Sequence, residues 1–169
     1  HRFSFVVLIL IASLASPLAA EGSTASWGAR AAAADNDQSA DEMLRYAIQD
    51  EYLARAEYGA IIKKYGSFNP FANIIKAEDS HIAWLKAAFK NAGLPIPEDI
   101  AASFIVVPET QKAAFEAGVA AEVDNIAMYD SFLDSSLMAR NEHSDIKALF
   151  IRLRDASKNH LKAFQNGLR

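Results

Sequence analysis

The chain has 169 residues, 51% of them hydrophobic and 22% charged, which suffices for one folded domain plus an extension and excludes a largely disordered polymer. A net charge of -4 with no cluster of Lys and Arg excludes the electrostatic footprint of a nucleic-acid binder. The absence of cysteine excludes disulfides, thiolate metal sites and cysteine nucleophiles.

Arg2 precedes an uncharged run from Phe3 to Ala20 that closes on Ser16-Pro17-Leu18-Ala19-Ala20. A basic start, an apolar middle and a small-residue close predict a cleaved signal peptide over residues 1–20, and so a secreted or periplasmic protein. A retained membrane anchor is the weaker reading, because the run is short for a span and carries Ser13, Ser16 and Pro17. Residues 21–38 are rich in Ala, Gly, Ser and Asp and read as a flexible linker, which leaves 39–169 for the folded domain.

Helical patterns fill that domain. The first opens on Ser39-Ala40-Asp41-Glu42, a Ser-x-x-Glu capping box, and runs to about Tyr65 before Gly66. The short link Ser67-Phe68-Asn69-Pro70 predicts an antiparallel return. The second helix spans about Phe71 to Ala92 and is ended by Gly93 and Pro95. Residues 93–108 read as a long crossover; Phe104-Ile105-Val106-Val107 has strand composition, but a lone strand has nothing to pair with. The third helix is expected from near Pro108 to about Leu137, and the fourth from Ser144-Asp145 to Gly167. The prediction is an all-α fold of four helices with a long crossover between the second and third.

Polar residues interrupt the apolar stripe of each helix. Glu51 stands among Leu44, Ile48, Tyr58, Ile62 and Tyr65; Glu78 and His81 stand among Ile74, Ile82, Leu85 and Phe89. Glu122 breaks the seam Phe115, Val119, Ile126, Tyr129, Leu133, and Ser157 with His160 breaks Ile146, Phe150, Leu153, Phe164. An unpaired buried carboxylate costs several kcal/mol or becomes neutral. Three carboxylates and two imidazoles in one core need a compensating cation, and Arg55 lies only at the margin of these faces. A divalent metal meets that need, and carboxylate with imidazole suits Fe, Mn or Zn.

Spacing sharpens the expectation. Glu78-x-x-His81 puts both side chains on one face, one turn apart. A two-metal carboxylate site takes one Glu from each of two helices and Glu-x-x-His from each of the other two. Glu51 and Glu122 fit the single roles, Glu78 and His81 one paired role, and Ser157-x-x-His160 the other, with Ser in place of Glu. Glu51 and Tyr58 are seven residues apart, as are Glu122 and Tyr129, which suggests a two-fold internal repeat. Singly, each Glu reads as a solvated helix residue and His160 as a hydrogen-bonded core histidine; together on the seams they are better explained by metal. Tyr58 and Tyr129 read first as core residues with satisfied hydroxyls, and second as supports of the ligands.

The segments Glu51-Tyr52-Leu53-Ala54-Arg55, Ile75-Lys76-Ala77-Glu78-Asp79-Ser80-His81 and Ala156-Ser157-Lys158-Asn159-His160-Leu161 resemble the ferritin-like superfamily, with spacing close to its rubrerythrin branch and to small secreted ferritin-like proteins. The resemblance covers about residues 40–166. It implies a ferritin-like four-helix bundle holding iron, as two ions or as one with a weak second site, with Mn or Zn as substitutes. It also implies ferroxidase- or peroxidase-like reaction with dioxygen or peroxide. Glu78 would be the bridge, Glu51 and Glu122 terminal ligands, and His81 and His160 the imidazole ligands. Ser157 departs from the pattern, since four carboxylates would neutralise two divalent ions and only three remain; a hydroxide, a carboxylate ligand or phosphate would fill the gap and hydrogen-bond to Ser157. Electrons would come from an external donor, because the chain has no Cys-rich module. Two other readings stay open: a non-catalytic module holding one Fe, Mn or Zn, and a metal-free interaction domain. Association into a homodimer through helix faces fits any of the three.

Overall fold

The computed structural model describes residues 27–169. They are all-helical: α1 (Gly28–Ala34), α2 (Ala40–Tyr65), α3 (Phe71–Asn91), α4 (Gln111–Asp134) and α5 (Ser144–Gly167), with short 3-10 turns between them and no strand among the described residues. The expected signal peptide and residues 21–26 lie outside the described residues. Among those described, no helix is long and apolar enough to cross a membrane.

Local chemistry sets the helix ends. Ser39 Oγ accepts from Glu42 N and Glu42 Oε2 accepts from Ser39 N at 2.9 Å, so the capping box of α2 forms. Gly66, at φ +85°, ends α2. At the end of α3, Gly93 takes φ +69°, and Leu94 N reaches back to Phe89 O at 2.9 Å. Helix α4 starts three residues later than Pro108 suggests, because Thr110 Oγ1 caps it by accepting from Ala113 N. The Pro108 carbonyl instead accepts from Tyr65 Oη at 2.7 Å. Leu137, expected inside this helix, lies in a 3-10 turn beyond its end.

The expected linker is corrected in its second half. Residues 28–34 form α1, with Ala29 and Ala32 buried. Ala29 N donates to Asp50 Oδ1 at 2.8 Å, Gly28 N donates to Gln49 Oε1 at 3.3 Å, and the Trp27 ring packs 5.0 Å from Phe104. Alanine gives no apolar bulk for a stripe, so the segment reads as featureless. It has the best helix propensity, however, and its small side chain permits close backbone approach. The crossover holds no strand; it carries one 3-10 turn, Ala101–Ser103, and is tied down by Tyr52 Oη to Pro97 O and by Arg55 to Asp99.

Contacts between the long helices run antiparallel. Along α2, Arg55 meets Asp79 and Tyr58 meets Phe71 of α3; along α4, Glu122 meets His160 and Tyr129 meets Phe150 of α5. Helices α2 and α4 also face each other in opposite sense, Glu51 against Tyr129 and Tyr58 against Glu122. One apolar cluster gathers Leu44, Ile48, Leu85, Phe132, Phe150 and Leu153; another gathers Tyr58, Ile61, Phe71, Ile74 and Phe164. On α3, α4 and α5 the buried polar residues fall between these clusters, and on α2 Glu51 lies at the inner edge of the first, so a polar band crosses the middle of the interior.

The buried stripe of α4 is Ala114, Gly118, Glu122, Asn125, Tyr129 and Phe132, offset from the expected seam through Phe115, Val119, Ile126 and Leu133. Small residues face inward because aromatic rings from other helices fill the space: a Cβ on Gly118 would lie 2.9 Å from the Phe164 ring. That ring packs 5.3 Å from Tyr58 and 4.9 Å from Phe71, so it has little room to retreat. Gly to Ala inside a helix ordinarily gains about 1 kcal/mol, whereas overpacking a tight core costs roughly 1–3 kcal/mol. Gly118→Ala is therefore expected to lower the melting temperature, and a rise would show that the aromatic cluster is loose.

Candidate metal centre

Helix α2 supplies Glu51, α3 Glu78 and His81, α4 Glu122, and α5 His160; each is at most 8% exposed. All five expected ligands thus meet in the polar band. They form two groups whose ligand atoms lie within 4.8 Å of one another: Glu51, Glu78 and His81, and Glu78, Glu122 and His160. Glu78 belongs to both. Its Oε2 lies 2.9 Å from His81 Nδ1, and its Oε1 lies 3.2 Å from His160 Nδ1. Glu51 Oε2 completes the first group at 3.0 Å from His81 Nδ1, and Glu122 Oε1 the second at 3.4 Å from His160 Nδ1. The two imidazole rings stack 5.6 Å apart.

The tyrosines cross over. Tyr58 of α2 donates its hydroxyl to Glu122 Oε1 of α4, and Tyr129 of α4 donates to Glu51 Oε1 of α2, both at 2.8 Å. The seven-residue repeat is therefore a reciprocal pair of bonds, and each tyrosine orients the carboxylate of the opposite half. Burial and the neighbouring carboxylate hold both hydroxyls far above their ordinary pKa, so they stay protonated donors.

Ion pairs of the three glutamates among the described residues are with the two histidines. Arg55 turns outward to Asp79 and Asp99. The cluster is therefore short of positive charge and holds protons instead. Burial opposes charge on His81, but Glu51 and Glu78 outweigh it and raise the imidazole to about 10; on His160, Glu122 and Glu78 raise it to about 9 against the same penalty. Burial and the Glu78 charge push Glu51 up to about 7. Burial works against Glu78 too, yet His160 and His81 hold its carboxyl below the ordinary value. His160 Nδ1 remains buried without a hydrogen bond, since neither carboxylate contact has the required geometry. A buried nitrogen aimed between two carboxylates with its own bond unmade fits a metal ion, as does the carboxylate and imidazole donor set.

Ser157 is 3% exposed and beside the centre, but its hydroxyl proton is used: Ser157 Oγ donates to Asn125 Oδ1 at 2.6 Å, and Asn125 Nδ2 donates to Asp50 Oδ2 at 2.7 Å. Asp50 Oδ1 accepts from Ala29 N, so a polar chain runs from α1 to the centre. Asp50 is half-buried on the cavity wall, and its carboxyl is pushed up to about 7, mainly by desolvation. Neither Asp50 nor Asn125 is among the expected site residues. Asn125 lies three residues after Glu122, one turn along the same face, and that spacing was the available signal. The position of Asp50 beside Glu51 carries no signal, because adjacent helix residues point in different directions.

Comparison of the chain with protein-family models, with curated proteins and with solved structures found no match. The functional reading rests on the residues themselves.

Asp50, Glu51, His81 and His160 all bind their protons more tightly folded than unfolded. The folded state then carries more protons than the unfolded one, and stability falls as pH rises. For the two acids the loss runs from their ordinary values of 3.8 and 4.5 up to about 7; for the histidines it runs from 6.5 to about 9 and 10. Glu78 acts in the opposite sense, but only below its ordinary 4.5. The metal-free chain is expected to lose melting temperature steadily from about pH 6 to about pH 9. Bound metal, which displaces these protons, should flatten the profile. A metal-free profile that rises over that interval would contradict the protonated cluster.

Proposed function

We propose that this chain is a secreted ferritin-like di-iron carboxylate protein that reacts with dioxygen or peroxide. The observation that carries the reading is Glu78, which offers one carboxylate oxygen to each of two Glu–His groups. Four long antiparallel helices that each deliver a ligand support the ferritin-like bundle.

Glu51, Glu78 and His81 would hold one ion, and Glu78, Glu122 and His160 the other. Ferrous ions held there would supply electrons for reduction of dioxygen or peroxide. The chain's own contribution is positional. Tyr129 and Tyr58 fix the rotamers of Glu51 and Glu122 by hydrogen bonds to Oε1 of each. Apolar clusters lie on either side of the centre. Ser157, short and already bonded to Asn125, leaves one side of the centre without a protein ligand. A donor outside the bundle would return electrons.

One observation favours a mononuclear reading, with a single Fe, Mn or Zn. The His81 group is drawn tighter, with contacts of 2.9 and 3.0 Å, than the His160 group, with contacts of 3.2 and 3.4 Å. A second ion would then be the weaker one.

Anaerobic ferrous titration followed by air separates these readings. Two ions per chain and a new near-ultraviolet absorbance on admitting air are expected; one ion with no spectral change would establish the mononuclear module. Glu78→Ala is expected to retain helicity and lose two-ion binding. Two ions still bound by that variant would overturn the shared-ligand assignment.

A further inference from the structure

A cavity of about 420 Å³ opens between α2 and α4 and reaches Glu51, Glu78, Glu122 and Ser157. His81 and His160 do not line it, so it meets the centre on its carboxylate face. At its rim stand Val106, 75% exposed, and exposed Asp124. Dioxygen or peroxide would need room for little more than a water molecule, about 30 Å³. A cavity of this size matches pockets for small organic molecules.

We propose that this cavity binds a small monocarboxylic acid with an apolar tail, whose carboxylate completes the ligand set on the side where Ser157 stands in place of a glutamate. The inference rests on the two-metal reading above. Two divalent ions bring four positive charges and the three glutamates return three, so one anionic ligand is missing. The internal repeat locates the gap, because Ser157-x-x-His160 answers Glu78-x-x-His81. The protein does not fill it. Asp50, the nearby carboxylate on the cavity wall, has its oxygens engaged by Ala29 N and Asn125 Nδ2, and the Ser157 hydroxyl is committed to Asn125.

Beyond the head, the walls suit a hydrocarbon tail. Ala54, Ala117 and Ala121 line the passage, and Trp27, Phe104 and Val106 line it beside them. The acids Asp50, Glu57 and Asp124 also face the cavity. They would favour an organic cation if no metal were present, which makes an amine the competing ligand.

The test uses zinc, which is redox-silent, so that binding is read without turnover. Zinc stoichiometry is measured first, and the zinc-loaded chain is then titrated calorimetrically with acetate, butyrate and hexanoate, and with hexanol and hexylamine. Two zinc ions and one saturable carboxylate are expected, with affinity rising up to about fourfold per methylene. Ser157→Glu should keep two zinc ions and lose hexanoate binding. Ala117→Phe, which fills the passage, should weaken hexanoate at least tenfold while leaving acetate and zinc unchanged, and it serves if the buried glutamate prevents folding. Two zinc ions with no saturable carboxylate, or with hexanol or hexylamine bound as tightly as hexanoate, would overturn the proposal while the metal reading stands. Absence of zinc binding would overturn both.

Discussion

Three carboxylates and two imidazoles are packed across the middle of a helical core, and the rest of the molecule is arranged around the cost of keeping them there. Each is nearly sealed from solvent. Burying such charge without a partner is among the most expensive acts a fold performs. Here compensation comes from mutual contact, through one shared carboxylate, two imidazoles and two crossed tyrosines. The apolar clusters to either side carry the ordinary work of stability and hold the polar band at fixed depth. A band satisfied by protons in the absence of metal is a folded state already shaped for a cation, with deprotonation coupled to its arrival.

The two halves are not equivalent, and the departure has a structural explanation. Where the repeat would put a second Glu-x-x-His carboxylate, Ser157 hands its proton to Asn125, which in turn holds Asp50. Asp50 also accepts from a backbone amide of α1. Ser157 and Asn125 both line the cavity.

Much of this was legible in the sequence because it was written in strong signals. Ser39 and Glu42 marked a helix start, Gly93 an end, and the seam-breaking Glu51, Glu78, His81, Glu122 and His160 marked the polar band. What escaped notice was written in weak ones. Helix α1 is built on alanine, whose contribution is closeness rather than bulk. Gly118 and Ala114 face the core because Phe164 of α5 supplies the volume there, so Phe115 and Val119 did not mark the inner face of α4. The roles of Asp50 and Asn125 depend on partners 75 residues apart in the chain, which no local pattern displays.

The attachment of α1 has a consequence for processing of the chain. Its Ala29 amide begins a relay of side chains that ends at Ser157, and Trp27, just upstream, lines the cavity. A protease that clipped the chain ahead of α2 would therefore do more than shorten a tail. It would strip the cavity of Trp27, Ala29 and Arg30 and leave Asp50 with one partner fewer. The shape of the cavity beside the centre would then record where the N-terminus was cut.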